Sequence, residues 1–113
     1  MLIVATELHV KSFWNFFEFL KHSGRSIKQA KRMPGVISVK ASIKGWRIGY
    51  TLTFWENKEA MHSFRNSGAH KIAMTKTRKL CSRYKIFAWE AARAPSFEEA
   101  KRILAGRQFT VLK

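Results

Sequence analysis

The chain has 113 residues, 46% of them apolar and 13% aromatic, which suits a single globular domain over residues 1–113 and leaves little room for two. No run approaches the roughly 18 uncharged apolar residues of a membrane span. The opening MLIVATEL has no basic leader and meets Glu7 at once, and the lone cysteine, Cys81, excludes an internal disulfide, so a cytoplasmic protein is expected.

The charge balance points outward. There are 22 Lys+Arg against 7 Asp+Glu, a formal net charge of +15. Such a field draws anions: nucleic acid, anionic lipid, or a small molecule carrying carboxylates or phosphates.

LIVATELH, residues 2–9, is β-branched and apolar and reads as a first strand. Ser12 is placed to cap a helix that starts at Phe13. Phe13, Phe16, Phe17, Leu20, Gly24 and Ile27 follow helical spacing and are expected to form its buried stripe. Trp14 and Phe19 fall off that stripe and call for a second apolar contact, such as a pocket or a subunit partner. Met33-Pro34-Gly35 ends the helix.

VISVKASI then alternates, with Ile37, Val39, Ala41 and Ile43 on one face. A short turn at Lys44-Gly45-Trp46 leads into RIGYTLTFWE, where Ile48, Tyr50, Leu52 and Phe54 oppose Gly49, Thr51, Thr53 and Trp55. The short connection makes these two strands a hairpin. Asn57 caps the next helix, Ala60, Met61 and Phe64 are its apolar side, and Gly68 stops it. Ser67 is a cap for a further helical stretch over residues 69–80. SRYKIFAWEA is another strand, and Ser96 with Glu99 forms a capping box for a terminal helix, SFEEAKRILA, ended by Gly106. The last residues, QFTVL, suit a further strand or an exchange with a partner.

The order strand, helix, strand, strand, helix, strand is that of an α+β fold, the ferredoxin-like βαββαβ unit, with an antiparallel sheet, its two main helices on one face and an extra C-terminal helix. The opposite sheet face has no evident cover within the chain, whether the Trp55 row or the Ile48 row lines it. A homodimer built sheet to sheet is therefore expected.

The common enzyme motifs are absent: there is no phosphate-cradling glycine loop, no GxSxG, no CxxC and no HExxH. Glu98 and Glu99 are explained by capping, and Cys81, beside Ser82 and Arg83, lacks a partner base and reads as structural. Of the histidines, His22 and His62 are expected at the solvent and His9 at the core edge. His70 sits in a first helical turn and shares a face with Ala73, Met74, Thr77 and Cys81. The positive helix N-terminus disfavours imidazolium there, and a neutral imidazole suits a metal ligand or a general base. A core or capping role is the plain alternative.

GYTLTFWENKEAMHSFRNSGAHKIAM, Gly49 to Met74, resembles the antibiotic biosynthesis monooxygenases of the dimeric α+β barrel superfamily, in which a strand ending in Trp-Glu precedes a helix and then a segment with a histidine. With the Pro34-Gly35 turn and the Trp55-Glu56 pair, residues 1–92 look closest to a bacterial family related to spheroidene monooxygenase. The resemblance implies a homodimer with a pocket between sheet and helices in each subunit. It implies an oxidoreductase of monooxygenase type acting on a small hydrophobic or anionic organic molecule. In haem-using branches a histidine after the third strand ligates the iron, which puts His70 in the metal and catalytic roles, with Met74 as an apolar wall and Lys71 and Arg78 as partners for propionates or other carboxylates. In cofactor-free branches tryptophans near the sheet handle the substrate, which makes Trp55, and less directly Trp14, candidates.

Two other readings stand beside this one. A non-enzymatic basic module for nucleic acid or another polyanion fits the charge, since ferredoxin-like sheets bind RNA through aromatics, but KGWRIGYTLTFW lacks the aromatic consensus of that module. The other is a structural dimer without activity.

Overall fold

The computed structural model describes residues 1–66 and 68–112 and, among these, every side chain but those of Ala69 and Arg78. The elements are β1 (Leu2–Val10), α1 (Phe13–Arg32), β2 (Val36–Lys44), β3 (Ile48–Trp55), α2 (Lys58–Arg65), α3 (Gly68–Leu80), β4 (Cys81–Glu90), α4 (Phe97–Ala105) and β5 (Thr110–Val111). All strand pairs are antiparallel, in the order β2-β3-β1-β4-β5. This is the ferredoxin-like arrangement expected from the sequence, with β5 added at the β4 edge.

The caps fall where the sequence places them. Ser12 Oγ accepts from the Asn15 N–H, Asn57 Oδ1 from Ala60 and Ser96 Oγ from Glu99. The cap assigned to Ser67 lies outside the described residues. Gly68 has φ 57°, which only glycine adopts cheaply, and it starts α3 there.

One face of the sheet carries α1, α2 and α3. The register settles which row that is: Leu2 lies opposite Trp55, Val4 opposite Thr53, and Val39 opposite Thr53 on the other side. Trp55, fully buried, thus sits beneath the helices, packed with Leu2, Ala30 and Phe64. Ile37 leaves the row expected for it, because the ladder slips between Val36 and Ser38 and turns Ile37 into solvent.

The buried stripe of α1 differs from the expected one. Phe19, Ser26 and Ala30 face inward, while Phe13, Phe17 and Leu20 are exposed. Gly49 explains the rotation. A Cβ there would lie 2.9 Å from the Phe19 ring, so the missing side chain makes the hole that Phe19 fills. Once Phe19 anchors the helix to β3, its neighbours at Phe13, Phe17 and Leu20 point away.

The opposite face is covered within the chain, contrary to the expectation of a bare sheet. The amphipathic α4 lays Ala100 and Leu104 onto Ile3, Ala5, Leu52 and Phe54, with Tyr50, Phe87, Trp89 and Phe97 at the margins. The reason is visible in the α4 pattern. Its apolar residues recur at helical spacing, and the loop from Ala91 to Ser96 is long enough to bring the helix back over the strands.

Candidate functional site: the seam between α1 and α3

The helix-side core comes in two pieces. One contains Leu2, Ala30, Trp55 and Phe64; the other contains Val10, Phe19, Leu80 and Cys81. Along β1, Thr6 lies between Leu2 and Val4 of the first piece and Leu8 and Val10 of the second, opposite Thr51 of β3. Along α1, Ser26 lies between Phe19 and Ala30. A polar residue therefore interrupts the apolar row both along β1 and along α1.

His70 joins this break. Its Nδ1 is 2.6 Å from Ser26 Oγ, and its backbone N–H donates to Gln29 Oε1 at 2.8 Å. Both partners belong to α1, so the first turn of α3 is held against α1 by polar contacts. The imidazole lies on the Phe64 ring, with centroids 4.2 Å apart, and Phe64 stacks on Trp55 at 5.2 Å. The Trp55 indole N–H donates to Thr53 Oγ1 at 2.9 Å, so its polar edge is satisfied towards the sheet. Burial first, and then the Arg65 guanidinium, lower the His70 pKa to about 4. The ring is neutral at physiological pH, as its sequence position suggested, and desolvation is the main cause.

The structure brings two of the expected site residues, His70 and Trp55, into one stack through Phe64. It does not gather the others. Met74 is 42% exposed and so forms no closed wall, and Lys71 is exposed at the surface of α3. The Arg78 side chain lies outside the described residues. Trp14 is on the outer side of α1, far more exposed than any other tryptophan. Cys81 is buried, and burial raises its thiol to about 11, against a smaller opposing effect of Lys11, so a reactive thiolate is disfavoured. Among the described residues no group of three or more His, Cys, Asp or Glu could hold a metal ion.

Sequence reasoning missed Ser26, which was hidden because a different α1 face was taken as buried. It also missed a second polar cluster under α4. Glu7 and His9 are both buried on β1, with Oε2 and Nε2 2.6 Å apart. Glu7 lies opposite Tyr50 on β3 and Lys85 on β4. Burial, and then the Glu7 charge, raise the Tyr50 pKa. The buried Lys85 donates to the Leu104 carbonyl at 3.1 Å, where the negative end of α4 favours a cation. The signal for this cluster was the spacing of two between Glu7 and His9 in a strand, which puts both on one face. A shallow cleft of about 360 Å³, lined by Trp89, Pro95 and Ile103 among others, opens where the β4–α4 loop meets α4, away from the His70 stack.

No family model matches the chain, and no curated protein does either. Solved structures match it well. A candidate antibiotic biosynthesis monooxygenase from Deinococcus radiodurans superposes with a TM-score of 0.74 at 19% identity, over 86% of this chain and 98% of that one. A candidate antibiotic biosynthesis monooxygenase from Nitrosomonas europaea gives 0.72 at 10% identity, over 82% and 100%. SnoaB, a cofactor-independent oxygenase from Streptomyces nogalater, gives 0.65 at 12% identity, over 82% and 94%. The narrower resemblance to a family related to spheroidene monooxygenase rests on the sequence alone. The chain thus shares the fold of these proteins.

Proposed function

We propose that the protein is a monooxygenase-like oxidoreductase that takes a small hydrophobic or anionic organic molecule at the seam between the sheet and the α1–α3 pair. The observation that carries this reading is the polar break in an otherwise apolar helix-side core, with His70 held in it by Ser26 and Phe64 and kept neutral by burial and then by Arg65. Thr6, Thr51 and Thr53 offer hydroxyls on the sheet side, and the Trp55–Phe64 stack is a rigid aromatic wall. The exposed Lys71, one residue after His70, is the cation for an anionic substrate. An imidazole that titrates near 4 is a weak base at neutral pH, so the role assigned to His70 is to hydrogen-bond or to ligate rather than to abstract a proton. SnoaB, which shares this fold, is a cofactor-independent oxygenase, and this supports oxygenation without a prosthetic group.

The donor chemistry also fits haem. A metal-bound imidazole normally has its second nitrogen engaged, as Nδ1 is here by Ser26, and the tautomer with Nδ1–H donating to Ser26 leaves the lone pair on Nε2. His70 would then hold the iron and Lys71 a propionate, and the group would supply oxygen activation. Haem titration of the purified protein tests this. A Soret shift is expected for wild type and not for His70→Ala; no shift, or the same shift in both, removes haem. Oxygen uptake with a panel of small phenols, lost in His70→Ala, tests the oxygenase reading apart from haem.

The homodimer is part of the proposal, but α4 changes its form. Pairing through the Ile3–Phe54 face requires α4 to move aside or to pass to the partner. Light scattering at micromolar concentration checks it, and a monomer would end it.

A further inference from the structure

One outer face of α1 is divided into an aromatic half and a cationic half. In its first two turns Phe13 is 45% exposed, Trp14 79%, Phe17 56% and Leu20 37%. Trp46, in the β2–β3 turn, joins them: its ring lies 5.9 Å from Phe13 and is itself covered by Arg47. The rest of the same face carries Lys21, Arg25, Lys28, Lys31 and Arg32, all exposed. Phe13, Phe17, Lys21 and Arg25 stand one turn apart in a single row. From residue 19 to residue 55 the sequence contains no acidic residue and eight basic ones. Glu18 is the one acid on this face, 3.6 Å from His22.

Exposed aromatics grouped in this way, rimmed by cations, mark an interaction surface. We propose that this face docks on an anionic phospholipid bilayer, with Phe13, Trp14, Phe17, Leu20 and Trp46 entering the interface and the cations of α1, with Lys44 and Arg47, meeting the headgroups. Aromatic and leucine side chains on one part of a helix, with Lys and Arg beside them, are the composition of interfacial helices. No helix among the described residues is long and apolar enough to cross a membrane, so the contact is peripheral.

The charge decides between occupants. A second copy of the chain would set the same basic face against itself in a two-fold contact, and each copy carries +15. Single-stranded nucleic acid needs ring faces open for stacking in a groove. Here Phe13 meets Trp14, Phe17 and Trp46 edge to face, at 77°, 87° and 84°, on a convex helix surface.

Co-sedimentation of the full chain with phosphatidylcholine vesicles, with and without phosphatidylserine, tests the proposal. Wild type should sediment only with the phosphatidylserine vesicles and release as salt rises. Trp14→Ser with Phe17→Ser, both at exposed positions, should weaken binding about tenfold or more. Lys21→Ala, Arg25→Ala and Lys28→Ala should each weaken it about fivefold. Folded wild type that ignores the phosphatidylserine vesicles, or variants that bind them equally well, would overturn it. So would a dimer, or RNA binding, that is lost in the aromatic variant while vesicles are not bound.

Discussion

The two faces of the sheet are built on opposite plans. Beneath α1, α2 and α3 the core is split, and the polar groups Ser26, His70, Thr6 and Thr51 sit between two apolar pieces. Beneath α4 the core is one continuous apolar block, with its buried polar side chains, Glu7, His9 and Lys85, gathered towards one end. A polar group inside an apolar layer costs stability unless it is paired. Ser26 pairs with His70 on the helix side, and under α4 Glu7 pairs with His9 and Lys85 with the Leu104 carbonyl, but only on the helix side do polar groups divide the core. That division is why the helix side is the better candidate for binding and the α4 side the better candidate for stability.

Substitutions can break this comparison. Phe64→Ala should have the largest effect, a loss of about 3–5 kcal/mol, because it removes the ring between Trp55 and His70. It should also let the His70 titration move back towards 6.5, which NMR of the imidazole would follow. Leu104→Ala on the other face should cost about 2–5 kcal/mol in urea unfolding and leave the His70 titration where it is. If it shifts that titration, the two faces are not independent. Gly49→Ala should cost about 1–3 kcal/mol, since its Cβ would collide with the Phe19 ring that anchors α1. Phe19→Leu in the same chain should recover part of that loss.

The smallest effect is in pH. The folded pKa of His70, about 4, lies below its unfolded value of 6.5, so between these values the unfolded chain binds more protons. The contribution is complete above about pH 6.5 and is lost as pH falls towards 4. Allowing for the partial exposure of the ring, it amounts to about 1–2 kcal/mol. Unfolding curves at pH 7 and pH 5 should differ by less in His70→Gln than in wild type. An equal difference would mean that His70 is not desolvated in the folded state.

Much of the chain order was readable without coordinates. Local rules acted on neighbouring residues at Ser12, Asn57, Ser96 and the Pro34-Gly35 turn, and the structure follows them. The neutral state of His70 was readable from its place in a helical first turn, though the main cause is burial. The α1 face was not readable, because Phe13, Phe17 and Leu20 make as good an apolar row as Phe19, Ser26 and Ala30. Only the empty space at Gly49, in a strand far along the chain, selects the second row.

Alternation and helical spacing thus specify the strands, the helices and their order, since those depend on contacts a few residues apart. The pairing register, the descent of α4 onto the open sheet face and the meeting of Ser26, Phe64 and His70 depend on residues tens of positions apart. No short-range pattern encodes such contacts. They arise when the elements pack, and packing places His70 in a polar seam and leaves the aromatic end of α1 facing outward.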